Sequence, residues 1–239
     1  MLCKFCELEK PLIEAHIIAK CLLKPLMSPV GPIRSFSKDV STFPKRLPSG
    51  VYDTEILCAE CDNSFSPWED YTAELLYETA QEHYKNAQNG YYIVPAFDYA
   101  KLKLCLLSIL WRMSISDRPE FKNVSLGSRY EGLIHAMLTK KDAGDADIFS
   151  IAMLHLTDYV GSKSALGTRS QMHNNTTMYN LGLPGFVAVI KIGEKHHPHV
   201  FQTFIMKPEE PLFFGLKEFR LEDDWKPAFQ QIWSKQRKK

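Results

Sequence analysis

Cys3-Lys4-Phe5-Cys6 and Cys58-Ala59-Glu60-Cys61 decide how this chain is read. Each is a CxxC knuckle, and two knuckles supply four thiolates, the donor set of one tetrahedral structural Zn²⁺. The 51 residues between Cys6 and Cys58 exceed the spacing of a zinc ribbon. The order knuckle, hairpin, second knuckle, helix instead predicts a zinc treble clef. The first 60 residues hold few large apolar groups, so the metal is expected to stand in for a core. Cys21 and Cys105 lack a spaced partner and read as small buried hydrophobes.

Before the first knuckle there is only Met1-Leu2, so no signal peptide is expected. The longest apolar run with few interruptions, 102–111, is too short to span a bilayer. The expectation is a cytoplasmic chain, off the membrane, where thiols stay reduced and bind metal rather than pair. With 239 residues and 45% hydrophobic content, one large or two small domains are possible. A net charge of +1 does not by itself imply a polyanionic partner. Its distribution does: residues 15–52 carry Lys20, Lys24, Arg34, Lys38, Lys45 and Arg46 against the single acid Asp39. Five prolines and two glycines between residues 25 and 50 break regular elements, so a long basic loop is expected there. Lys20, Lys24, Lys45 and Arg46 are its candidate phosphate contacts. A solvated flap is the alternative.

Beyond the loop, 51–57 reads as a strand entering the second knuckle. Ser66-Pro67-Trp68-Glu69 has a capping-box pattern that predicts a helix to about residue 85. Residues 91–96 read as a strand. Asp98 is placed to cap a helix ending near 116 that is apolar nearly all round, the expected central helix of the second half. A helix over 130–140, strands over 148–156, 177–181, 186–192 and 200–206, and a last helix over 225–238 complete the reading. The expected fold is α+β: a zinc treble-clef module over residues 1–90, then a helix-plus-antiparallel-sheet domain over 91–239.

The chemistry sits between the knuckles. His16 lies in the β-prone run Glu14-Ala15-His16-Ile17-Ile18, Asp53 precedes Cys58 by five residues, and Asp62 follows Cys61. Two knuckles on one zinc are expected to gather all three near one face. A histidine with carboxylates suits metal-assisted phosphodiester hydrolysis, with imidazole as general base and a hard divalent cation on carboxylate oxygen. Each residue also has a plainer reading. His16 could be satisfied by a backbone carbonyl, Asp53 could close a turn, and Asp62 could favour a helix N-terminus through the dipole.

The arrangement Cys3-x-x-Cys6, Ala15-His16-Ile17-Ile18, Asp53, Leu57-Cys58-x-x-Cys61-Asp62 resembles the zinc-containing HNH (His-Me finger) endonucleases over about residues 1–85. The resemblance implies a ββα-metal module in which His16 is the general base. Asp53 stands at the position of the asparagine that orients it. Asp62 stands at the position of the residue that binds the catalytic Mg²⁺ or Mn²⁺, with Asn63 a less favoured substitute. It also implies an endonuclease acting on nucleic acid, DNA first. Two departures stand out: Ala15 occupies a position that is acidic in many of these enzymes, and Asp53 replaces asparagine. The alternative expectation is therefore a catalytically degenerate zinc module that binds nucleic acid or a protein partner. Residues 91–239 carry no catalytic signature and offer a surface for a partner or a second copy. His196-His197-Pro198-His199 reads as a solvated turn, and Ser164 and Ser170 have no paired base.

Overall fold

The computed structural model describes residues 1–27, 33–35, 45–47, 50–157, 168–173, 176–193 and 199–218. β1 (Ala15–His16) leads into a short helix α1 (Lys20–Leu23) and a 3-10 turn (Lys24–Leu26). β2 (Ile33–Ser35) and β3 (Lys45–Leu47) pair antiparallel with each other, and β4 (Tyr52–Asp53) returns to pair with β1. The expected irregular loop over 25–50 thus contains a two-stranded ribbon. Its proline and glycine content concealed strands too short to show an alternating pattern.

After the second knuckle come α2 (Ala59–Asn63), α3 (Ser66–Glu74), a π turn (Leu75–Thr79) and α4 (Ala80–Tyr84). Ser66 does not cap this helix. The preceding residue, Phe65, is already in the helical region (φ −86°, ψ −20°) and no side chain caps the N-terminus. The backbone turns continuously from α2 into α3, leaving no extended cap residue for the box to form on. Asp98 does cap the central helix α5 (Tyr99–Ile115): its Oδ1 accepts from the Lys101 N–H at 2.9 Å.

β5 (Tyr91–Val94) precedes α5, and α6 (Gly127–Lys140) follows it. The remaining strands are β6 (Ile151–Leu156), β7 (Arg169–His173), β8 (Thr176–Leu183), β9 (Phe186–Ile192) and β10 (Leu212–Lys217). They form one six-stranded sheet in the order β5-β10-β6-β9-β8-β7. Only β10 and β6 run parallel; every other pair is antiparallel. Residues 200–206, expected as a strand, are largely a 3-10 helix (His199–Phe204) whose Phe204 packs on the sheet. β7 and β10 had no strand assigned from sequence. The expected helix over 225–238 lies outside the described residues.

The sheet is buried on both faces at its centre. Along β9, Phe186, Ala188, Ile190 and Ile192 join the main core, while the alternate residues Val187 and Val189 join a second cluster with Ala152, Leu156 and Met178. That is the period-2 alternation of a strand dividing its side chains between two layers. The main core holds most of α5, whose Leu102, Leu106, Leu107, Ile109 and Leu110 are wholly buried. Each such side chain contributes about 1.5–3 kcal/mol by leaving water. The same cluster contains Cys3, Ile17, Leu57, Cys58 and Phe65. The expected boundary near residue 90 therefore falls inside one continuous core, because the cysteine knuckles dock directly on α5 and α6.

Candidate metal centre and its surroundings

The first knuckle is closed by its own backbone. The Cys3 N–H donates to the Leu8 carbonyl (3.0 Å), the Glu7 N–H donates to the Cys3 carbonyl (2.9 Å), and Glu7 turns the chain with φ +56°. Residues between the two cysteines are fastened to the body. The Lys4 ammonium donates to the Ile115 carbonyl at 2.7 Å, and His135 Nε2 of α6 hydrogen-bonds the Phe5 carbonyl at 2.7 Å. Phe5 also meets Trp111 edge-on, with centroids 5.7 Å apart.

The second knuckle is delivered by the hairpin. Leu12 bridges Cys58, and the Ile13 N–H donates to the Leu57 carbonyl at 3.0 Å. Cys61 then stands in the first turn of α2. The Sγ atoms of Cys3, Cys6, Cys58 and Cys61 all lie within 4.8 Å of one another. Four thiolates about 2.3 Å from one Zn²⁺ stand about 3.8 Å apart in a tetrahedron, so the cluster can hold one metal ion and its chemistry fits structural zinc. The Cys58 N–H points at Cys3 Sγ (3.4 Å). Burial opposes ionisation of Cys3, yet the backbone N–H groups of Cys6, Cys58 and Phe5 bring its thiol down to about 7. A thiolate is the form a metal takes. Cys21 and Cys105 stand outside the cluster, and burial pushes their thiols up to about 11 and about 12.

His16 and Asp53 leave the hairpin on opposite sides. Register pairs Ala15 with Asp53 and His16 with Tyr52. Directly opposed residues of an antiparallel pair share a face, and neighbours alternate. Asp53 is therefore on the face of buried Ala15, away from the His16 ring. Its Oδ2 accepts from Ser116 Oγ (2.5 Å) and its Oδ1 from the Glu55 N–H (2.8 Å). Asp53 closes a turn and ties the hairpin to the end of α5, and no side-chain hydrogen bond joins it to the His16 ring among the described residues. Five-residue spacing to Cys58 carried no information about which face it would take.

His16 is half-buried, and its Nε2 is closed off from solvent with no hydrogen-bond partner among the described residues. Its pKa lies below the usual histidine value, chiefly through loss of hydration and then through the positive charges of Lys20 and Arg112. The ring is therefore neutral at neutral pH. Arg112 is the residue that sequence reasoning missed. It is 1% exposed, donates from Nη1 to the His16 carbonyl (2.8 Å), and pairs through Nη2 with the buried Glu69 carboxylate (2.5 Å). The available signal was an arginine near the end of a mostly apolar helix, a charge that is rarely buried without a partner.

Asp62 is also half-buried. Loss of hydration raises its pKa, and Arg112 opposes the rise. One guanidinium is thus the electrostatic neighbour of both His16 and Asp62. Lys20 and Lys24 are exposed on and beside α1, and Lys45 and Arg46 lie in β3. Among the described residues the four cysteines are the sole cluster with metal-binding geometry, and no helix is long and apolar enough to cross a membrane. Comparison with protein-family models, with curated proteins and with solved structures yields no match.

Proposed function

We propose that this chain is a nuclease of the HNH type, in which a zinc-bound treble clef presents His16 as the general base for hydrolysis of a DNA phosphodiester. The observation that carries the reading is the state of His16. It stands on the hairpin between the knuckles, held neutral, with Nε2 unclaimed by any described residue. A neutral imidazole is the form that abstracts a proton from water; with Nε2 closed off from solvent, that water would have to be met at Nδ1. The Arg112 contact to its carbonyl holds the strand in place. Lys20 and Lys24, exposed beside the hairpin, fit the phosphate backbone. A cytosolic setting, which keeps thiols reduced, goes with the zinc.

Asp62 is the carboxylate this reading offers to a catalytic Mg²⁺ or Mn²⁺, which would supply charge neutralisation at the phosphate. A single carboxylate near a fixed guanidinium is a weak cation site, so the reading expects a demand for high divalent concentration. The same observation favours a second reading. With Asp53 committed to Ser116, alanine at position 15, and Arg112 already supplying positive charge, the module would bind nucleic acid or a protein without cutting.

A plasmid-nicking assay across Mg²⁺ and Mn²⁺ concentrations separates the two. Nicking that falls by about 10²–10⁴-fold in His16→Ala supports the enzyme. Equal nicking by wild type and His16→Ala refutes it. DNA binding with no nicking under any ion favours the second reading.

A further inference from the structure

His16 stands on a strand too short to hold its own place. β1 has two residues, Ala15 and His16, and its ladder with β4 is two residues long. A two-stranded hairpin is marginal in water at any length. On either side of His16, Ala15 and Ile17 are wholly buried, and the Ile17 N–H donates to the Val51 carbonyl at 3.0 Å. The fixed point on His16 itself is its carbonyl, which accepts from Arg112 Nη1 at 2.8 Å. An ionised donor makes such a bond roughly twice as strong as one between neutral groups.

The guanidinium is seated from the helices. Glu69 of α3 takes Nη2 at 2.5 Å. Ser108, one turn earlier on α5, offers its carbonyl to Nε and its Oγ to Nη2, both at 3.3 Å. The Phe65 ring lies against the guanidinium carbon, 5.2 Å from the ring centre. Phe65 and Ser108 are wholly buried. Nη1 is left as the arm that reaches the hairpin. A buried ion pair seldom stabilises a fold more than apolar residues of the same size would. Packing of α3 on α5 is therefore a poor reason for a charge here. A planar fork with arms at fixed angles does what apolar residues cannot: it carries the position of two helices to the backbone of residue 16.

We propose that Arg112, seated by Glu69, is the positioning residue for His16: the fork fixes the backbone of β1 and, through it, the place of the imidazole on the hairpin. Arg112 is 1% exposed, so it acts on His16 without touching substrate. It stands on α5, beyond the knuckles and their hairpin, so the site is incomplete without the second half of the chain. The proposal deepens the nuclease reading and rests on it for the effect on rate. Placement of the ring does not depend on cleavage.

The test compares Arg112→Lys with Glu69→Gln in the full, zinc-loaded chain. Arg112→Lys keeps a cation beside Glu69 but has no fork to hold Glu69 and the His16 carbonyl on separate arms. Glu69→Gln removes the negative charge but leaves an acceptor for Nη2, so the fork stays seated. Zinc content and thermal melts are read first, and kinetics are run well below the lowest melt. In plasmid nicking, Arg112→Lys should lose about 10²-fold in kcat with KM unchanged, since a displaced base costs rate and leaves substrate contacts alone. Glu69→Gln should lose far less. Wild-type kcat in Arg112→Lys, a loss confined to KM, or equal losses in the two variants overturns the proposal. If Glu69→Gln does not fold, Arg112→Lys against wild type decides. A second readout needs no activity. Cross-relaxation between the His16 and Tyr52 rings, whose centroids are 6.2 Å apart, should weaken in Arg112→Lys and persist in Glu69→Gln. A wild type that cuts no DNA sinks the nuclease reading and leaves the ring contact to decide: its loss in Arg112→Lys upholds the placement, and an unchanged contact overturns it. Nicking that needs His16 but is indifferent to Arg112→Lys keeps the nuclease reading and overturns this proposal.

Discussion

Arg112→Met should be among the most damaging single substitutions outside the cysteines. The side chain is 1% exposed and Glu69 is 7% exposed, so neither charge has water to fall back on. The guanidinium donates to Glu69 Oε1 (2.5 Å), the His16 carbonyl (2.8 Å), the Ser108 carbonyl and Ser108 Oγ (both 3.3 Å). Methionine fills much of the volume but strands the Glu69 carboxylate in the core. Breaking a buried pair from one side costs about 3–5 kcal/mol, most of it from the abandoned charge. In Arg112→Met/Glu69→Met that charge is gone. What remains is the His16 carbonyl without its donor, a loss of about 1–3 kcal/mol. The double variant should therefore be more stable than the single. Urea unfolding of the zinc-loaded chain, at fixed pH and free zinc, reads both. A cost under about 1 kcal/mol for the single variant, or a double variant no more stable than the single, refutes this account of the pair. His16 supplies a second readout. Without the nearby positive charge its pKa should move back up toward the ordinary value, which an NMR titration of the ring follows.

Elemental analysis should find one zinc per chain, and chelation should abolish the tertiary signal of the whole molecule, because knuckles and sheet share one core; a zinc-free chain with an unchanged melt speaks against this. Gly50→Ala should destabilise by about 1–3 kcal/mol through its clash with Leu23 and its positive φ. A double-mutant cycle with Leu23→Ala should show the cost partly relieved, and strict additivity would exclude the clash. His155, buried against Phe186 and Tyr92, has its pKa depressed to about 4 by loss of hydration. Its unfolded form binds the proton first, so stability present above about pH 6.5 is lost as pH falls toward about 4. His155→Phe should flatten that part of the stability profile, and an unaltered profile would count against the assignment.

Sequence alone determined what local chemistry determines. Two CxxC pairs gave the ligand set, because thiolates at that spacing form a knuckle without help from distant residues. The largely apolar run of α5 marked the central helix, and Asp98 marked where it starts, since both signals lie within a few residues of the element they specify. The β-branched, apolar run of β9 marked a strand, though not its neighbours. The tertiary structure decided everything that depends on which face meets which. Asp53 and His16 are both polar residues on short strands, and only the Ala15–Asp53 register sends them to opposite sides. Arg112 lies 96 residues from His16 in the chain, a distance no local pattern bridges, yet it holds that strand. The ribbon at 33–35 and 45–47 pairs across a proline-bearing loop, and strands of three residues are too short to carry a period. Joining of the knuckles to the sheet in one core likewise rests on Lys4 meeting Ile115 and Phe5 meeting His135, contacts that span 111 and 130 residues of chain. Such contacts are stable only once both halves have folded, so they leave no trace in the order of residues.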